Sequence, residues 1–509
     1  MKTFAAIDVG SYELAMKIYE ISGKGIIKEI DHIRKRIELG SDTYNTGKIS
    51  LERVDELCNA LLEFKGIMRG YKVDDMRVYG TSAIRETKNT LLVTEQIKLR
   101  TGLDVEVLSN SEQRFLHSKA VASRGEKFDE LIEGGAAIVD IGGGSIQVSL
   151  YENSHLKTTQ NIRLGILRIR EILADLEAKT TDYASLVSEL VDNHFHYFNE
   201  LYLSKTKVSS VIVVDDYISH IIQRAFGKEI VTTDEYKKFI KEVKEEKPSE
   251  LAKKYGLSGE YASLLVPSAI LVRKLVKLAS AETIWAPGVS LADGMAYDYA
   301  QNEKLIKNRH DFEEDVIYCA HEVAKRYKTN ESRCRLVEKI ALKLFDETKK
   351  IHGLTKRDRL LLRVASILSE CGKYMSLEDA AECSYVIIMA TEMIGISHAE
   401  REIVANVVKF NKADFEYYND MAKSSLMSKE SYITMAKLTA IFRLADGVCR
   451  SYKAKVNDVK VSVKDSNLII NADCDETLIL ERGFFERKAL LFEEEFTIKP
   501  VLVHKKNRG

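Results

Sequence analysis

What most constrains this chain is a unit that occurs twice: an apolar strand, an aspartate, a glycine turn and a second strand. Residues 4–18 read FAAIDVGSYELAMKI, and residues 137–150 read AIVDIGGGSIQVSL. Laid over one another, they place Asp8 on Asp140 and Gly10-Ser11 on Gly144-Ser145. Glycine lets the backbone turn tightly and approach a ligand closely. Successive N–H groups in such a turn form a nest for an anion. The buried acid at the strand end implies that the anion arrives with a metal ion. A glycine-rich hairpin holding nothing is the competing reading of either copy alone, and the duplication weakens it. Between the copies, helix-like and strand-like segments alternate (51–68, 76–84, 90–101). That alternation points to two related α/β lobes whose turns face each other across a cleft.

Composition narrows the partners. With 509 residues, 45% hydrophobic and 30% charged, the chain reads as a globular protein of several domains, at about 100–200 residues each. A net charge of −1 offers no basic field for nucleic acid or anionic lipid. No apolar run reaches the ~18 residues that span a bilayer, and Asp8 falls where a signal peptide needs its apolar core. The expected location is the cytoplasm, with no membrane and no nucleic-acid partner. Seven widely spaced cysteines without a CxxC pair read as reduced thiols.

The ordered segments AIDVGS (6–11), VYGTSAIRETKN (78–89), VEVLSNSEQ (105–113) and IVDIGGGSIQ (138–147) resemble those of the exopolyphosphatase / guanosine pentaphosphate phosphatase (Ppx/GppA) family, in its long form. The resemblance runs the length of the chain. It implies an α/β class with a duplicated actin-like ATPase fold, shared with sugar kinases, Hsp70 and actin. It also implies Mg²⁺-dependent hydrolysis of terminal phosphoanhydride bonds in polyphosphate or pppGpp. Carried over, Asp8 and Asp140 hold the metal; Gly10, Ser11, Gly142, Gly143, Gly144 and Ser145 bind phosphate. Arg85 neutralises phosphoryl oxygens, a task that suits a guanidinium fork.

Three departures stand beside the matches. The family's catalytic-base glutamate falls on Gln113, although a one-residue slip gives the role to Glu112. A second family glutamate falls on Gln147. The later Gly-Gly-Thr turn is replaced by acids in VIVVDDYIS (211–219). A glutamine can orient water but cannot accept its proton, and a general base is worth ~10²–10⁴-fold. Positioning and charge neutralisation carry much of phosphoryl transfer, so the expectation is a slowed phosphatase. The alternative is a catalytically silent sensor of polyphosphate, a guanosine alarmone or another nucleotide.

Beyond residue 303 the pattern is helical: 310–327, 331–351, 357–372, 377–394, 398–411 and 430–451. In the second of these, Cys334, Val337, Ala341, Leu344 and Phe345 recur at helical spacing behind Asn330, a candidate N-cap. This part resembles an all-α HD-like domain. Its signature segment reads Ser369-Glu370, and later family histidines fall on Ala381, Cys383 and Asn411, so no transition metal is expected there. Cys319 and His321 read as ordinary helix residues. The tail resembles a small α+β C-terminal domain: a hairpin over 458–473 turning at Asp465-Ser466-Asn467, a helix over 476–495 and a strand over 497–503. In relatives of this layout the resemblance implies a homodimer. The expected domains are 1–125 and 126–302 for the two lobes, 303–455 for the HD-like part and 456–509 for the tail.

Overall fold

The apolar stretch around Asp8 folds as β1 (Lys2–Val9) and β2 (Glu13–Ile21), antiparallel, with Asp8 opposite Ala15. Its second copy folds as β6 (Ala136–Ile141) and β7 (Ile146–Glu152), with Asp140 opposite Gln147. This computed structural model describes residues 1–505 except Lys24, Ala178, Thr181, Asp215, Asp216, Ser258, Ser424, Tyr452 to Ala454 and Asp465. The acids expected to replace the family's later turn, Asp215 and Asp216, therefore lie outside the described residues, as does Asp465 of the tail turn. The chain divides into two compact units, Met1–Phe312 and Glu313–Gly509.

In the first unit, β3 (Ile27–Arg36), β4 (Asp75–Gly80) and β5 (Glu106–Val107) complete a sheet ordered β3-β2-β1-β4-β5. A second sheet adds β8 (His155–Ile162), β9 (Ser210–Val214), β10 (Ile230–Thr232) and β11 (Thr283–Trp285), in the order β10-β11-β9-β6-β7-β8. In both sheets, three antiparallel strands continue into parallel ones through the strand that bears the aspartate. The central strands β6 and β9 are buried along their whole length, as expected where helices cover both faces.

The backbone corrects the alignment of the copies. The Gly10 N–H donates to the Glu13 carbonyl at 3.1 Å, and the Gly142 N–H donates to the Ser145 carbonyl at 3.0 Å. Gly10 therefore corresponds to Gly142, each two residues past its aspartate, and Ser11 corresponds to Gly143, not Ser145. The likeness extends further. The Ser11 carbonyl accepts from Gly40 at the start of the Leu39–Thr46 helix, and the Gly143 carbonyl accepts from Leu167 at the start of the Ile166–Glu177 helix. Each turn thus spends its carbonyls on the orphan N–H groups of a helix N-terminus.

Two helices cross behind the cleft, Asn110–Ala122 and Leu291–Asn302. Gly294 lies so close to the Leu116 carbonyl that a Cβ would collide with it. The second helix is held to β2 through Asp293, which takes Lys17 at 2.9 Å and the Tyr19 hydroxyl at 2.9 Å. Further along, helices Thr233–Glu245 and Pro248–Tyr255 form around Pro248 at a first helical position. The first of the two buries Tyr236, Phe239, Ile240 and Val243 on one face.

The second unit contains, among other helices, Glu331–Glu347, Lys356–Leu368, Ala380–Ala390, His398–Phe410 and Lys429–Val448. Asn330 caps the first of them, accepting from the Arg333 N–H at 3.1 Å. Val337, Leu344, Leu361, Val404 and Phe442 meet in its core. That core runs on through a sheet of β12 (Asp458–Lys464), β13 (Asn467–Asp473) and β14 (Lys499–Lys505) and the Ile479–Phe496 helix, which contributes Phe485 and Phe492. All seven cysteines are free thiols.

Candidate active site

A cavity of about 150 Å³ opens between the two sheets of the first unit, lined by Asp8, Gly10, Ser11, Ser82, Gln113, His117, Asp140, Gly142 and Gly143, among others. One water takes up roughly 30 Å³, so the space admits a phosphoryl group and a few waters. Of the turn N–H groups, those of Gly10 and Gly142 are engaged within their own turns. Among the described residues, those of Gly143 and Gly144 take no hydrogen-bond acceptor. This is the chemistry of an anion nest.

The Asn110–Ala122 helix supplies the polar wall. Gln113 spans two charges: its Oε1 accepts from Arg85 Nη1 at 3.3 Å, and its Nε2 lies 3.5 Å from Asp140 Oδ2. One turn later on the same face, the His117 Nδ1 sits 2.8 Å from the same Asp140 oxygen. Arg85 also donates to the Leu108 carbonyl at 2.7 Å, and its Nη2 is buried without a partner. Burial pulls the Arg85 guanidinium below its usual pKa. Sequence reasoning overlooked His117, although its i+4 spacing from Gln113 was the available signal.

Glu112 does not join them. Ser109 and Glu112 form a capping box: the Glu112 carboxylate accepts from the Ser109 N–H at 2.9 Å, and the Ser109 hydroxyl accepts from the Glu112 N–H. The Glu112 carboxylate is spent on the helix N-terminus, which speaks against the one-residue slip that would make it the base. Glu112→Gln, which keeps an oxygen for the cap, should leave the rate of phosphate release within twofold of wild type. A base at this position would lose ~10²–10⁴-fold, so a steady-state assay decides.

Three hydroxyls close one side of the site. Ser11 Oγ lies 2.7 Å from Ser82 Oγ and 2.9 Å from the Tyr44 hydroxyl, which donates to Ser82 at 3.0 Å. Tyr44 comes from the Leu39–Thr46 helix, and no local pattern announced it. Burial pushes its phenol pKa up. Ser145 is buried on the second turn.

Among the described residues, no group of three or more His, Cys, Asp or Glu comes together to hold a metal ion. Asp8 and Asp140 do line one cavity. Opposite Asp140 on β7, Gln147 is buried, with its Oε1 lacking any partner. Two carboxylates and an orphaned amide oxygen fit a hard, oxygen-seeking ion that keeps several waters and shares substrate phosphates, as Mg²⁺ does.

The second unit gathers ion pairs around the Ser369-Glu370 segment, where the resemblance had pointed to an HD-like signature. Arg333 reaches Glu370 at 3.1 Å and Asp446 at 2.6 Å, all three buried. Lys373 pairs with Glu370. Lys488 lies 3.3 Å from Asp446 and donates to Asn411. The guanidinium bridges the two carboxylates and each also pairs with one ammonium, so both are already engaged by cations of the protein.

Residues 18–303 match the family model for the Ppx/GppA phosphatase family, and residues 318–494 match that for Ppx/GppA phosphatase, domain III. A guanosine-5'-triphosphate,3'-diphosphate pyrophosphatase of Photobacterium profundum is 21% identical over 474 residues, covering 92% of this chain and 91% of the relative. Its counterpart in Aeromonas hydrophila is 20% identical over 462 residues, 86% of each chain. An exopolyphosphatase structure from Cytophaga hutchinsonii superposes with a TM-score of 0.50 at 18% identity, covering 60% of this chain and 100% of that one. The first unit thus has the duplicated actin-like ATPase fold. No described helix is long and apolar enough to cross a membrane.

Proposed function

The chain belongs to the Ppx/GppA phosphatase family, and from that premise we propose that it slowly hydrolyses terminal phosphoanhydride bonds of polyphosphate or of a guanosine 5'-triphosphate 3'-diphosphate. The supporting observation is one cavity that gathers both glycine turns, both aspartates and Gln113. The sequence relatives carry the name of a guanosine substrate and the structural relative that of polyphosphate. Both ligands end in the same bond, and a cavity of about 150 Å³ fits that shared end.

In this reading the Gly143 N–H binds the terminal phosphoryl oxygens, and the Gly144 N–H and the Ser11 hydroxyl, both now covered by Tyr44, join it only once that ring moves aside. Arg85 holds Gln113, whose amide orients the attacking water. A P–O bond forms to that water as the bridging P–O bond breaks, and the leaving phosphate carries away the electron pair. Gln113 cannot take the water's proton, so it passes to a phosphoryl oxygen, which slows the step. Asp8 and Asp140, with Gln147 Oε1, would hold Mg²⁺, which supplies charge neutralisation on the phosphates. Loss of one of those carboxylates in Asp140→Asn should shift the Mg²⁺ needed for half-maximal rate upward by about tenfold, a 1.4 kcal/mol effect. An unchanged Mg²⁺ titration would remove Asp140 from that role.

The test is phosphate release by the purified chain with Mg²⁺, offered tripolyphosphate and pppGpp separately. Release from either supports the proposal, and the faster one names the substrate. Tight binding of either without release assigns a sensor, the reading that Gln113's neutral bridge favours.

A further inference from the structure

Tyr44 stands where the two lobes' turns come together. Its hydroxyl is bonded to Ser11 and Ser82 of the first lobe, and a Cβ on Gly144 of the second would collide with that hydroxyl. From the second lobe, the Arg168 guanidinium lies 5.0 Å from the centre of the Tyr44 ring. The same Arg168 reaches across to Glu86 at 3.0 Å. The remaining cavity is lined by Ser11, Gly142 and Gly143, but by neither Tyr44 nor Gly144. The ring thus walls off Gly144 and leaves room only for the reacting end of a ligand.

We propose that Tyr44 is a pin that decides which phosphate chains enter: it fills the path between the two glycine turns, and a chain of three or more phosphates must displace it. This rests on the phosphate reading of the cleft. The hydroxyl takes hydrogen bonds that phosphate oxygens would otherwise take from Ser11 and Ser82. The Arg168–Glu86 pair and the stacked guanidinium hold the ring in place from the opposite lobe. Displacing the ring frees Arg168 as well, and a guanidinium is suited to phosphate. The pin therefore masks a cation together with two hydroxyls.

Calorimetric titration with Mg²⁺-tripolyphosphate tests the masking. Tyr44→Ala should bind at least tenfold more tightly than wild type. Tyr44→Phe, which keeps the ring and drops two hydrogen bonds, should fall between them. Weaker binding by either variant makes the tyrosine a ligand and overturns the pin, as does equal binding by Tyr44→Ala. A thermal cycle tests the contact without ligand. Gly144 has no left-handed φ, so Gly144→Ala adds only the collision; it should lower Tm by several degrees beside Tyr44 and not beside Ala at 44. An equal loss in both backgrounds overturns the contact. If no variant binds tripolyphosphate while the thermal coupling holds, the phosphate reading of the cleft fails, and the gating role fails with it.

Discussion

Gln113→Glu should raise the rate of phosphate release by ~10²–10⁴-fold, the range that a positioned general base supplies. The geometry makes this more than a change of one atom. The native amide presents oxygen to Arg85 and nitrogen to Asp140. A carboxylate keeps the first contact and strengthens it by charge, but sets a second negative charge against Asp140. A divalent cation can relieve that repulsion, so the gain should appear at saturating Mg²⁺ and fade as Mg²⁺ is withdrawn. Gln147→Glu should add to it if a second carboxylate steadies the ion. Steady-state rates on tripolyphosphate and pppGpp, each across a Mg²⁺ series, measure both effects. A Gln113→Glu enzyme no faster than a wild type that already turns over quickly would show that proton acceptance never limited the chain.

Arg333→Met should destabilise the second unit, by at most about 3–5 kcal/mol, because the buried carboxylates lose the guanidinium that bridges them and keep only Lys373 and Lys488. Arg333 bridges Glu370 and Asp446, and Lys488 holds the far oxygen of Asp446. Burial alone would push the Asp446 carboxyl up, but Lys488 and Arg333 outweigh it and hold it at about 2. A depressed carboxyl pKa stabilises above the unfolded value of about 3.9, so this contribution should disappear as pH falls from about 4 towards 2. Denaturant unfolding of the whole chain should show an earlier transition in the variant, and a pH series the acid loss. Adding Glu370→Gln and Asp446→Asn to Arg333→Met should recover part of the stability. Failure to recover any would mean that the guanidinium stem, not its charge, was supporting the core.

The strands that carry Asp8 and Asp140 were legible because the hydrophobic run and the acid recur together. Their register was not, because a Gly-Ser pair stands in both copies, and only the bonds from Gly10 to Glu13 and from Gly142 to Ser145 separate the two alignments. The fate of Glu112 was written locally as Ser109-x-x-Glu112, a capping signature, which the search for a base passed over. His117 was recoverable by helical spacing from Gln113. Tyr44 and Arg333 were not, since their partners lie far along the chain: Ser82 and Gly144 for one, Glu370 and Asp446 for the other. Helix spacing in the second unit foretold its elements, Asn330 included, because each is amphipathic over several turns. What closes its centre is a set of ion pairs that no periodicity records.

The contacts of Asp140 with Gln113 and His117, with Asp8 in the same cavity, have a consequence for what the proposed site would respond to. Without an imported cation, two carboxylates and a phosphate chain would repel each other. On the proposed reading the site would fill only when both a divalent ion and a phosphate ligand are present, and its occupancy would follow the product of their free concentrations. If that proposal holds, drawing down free divalent ions at constant ligand should silence this protein as surely as removing the ligand.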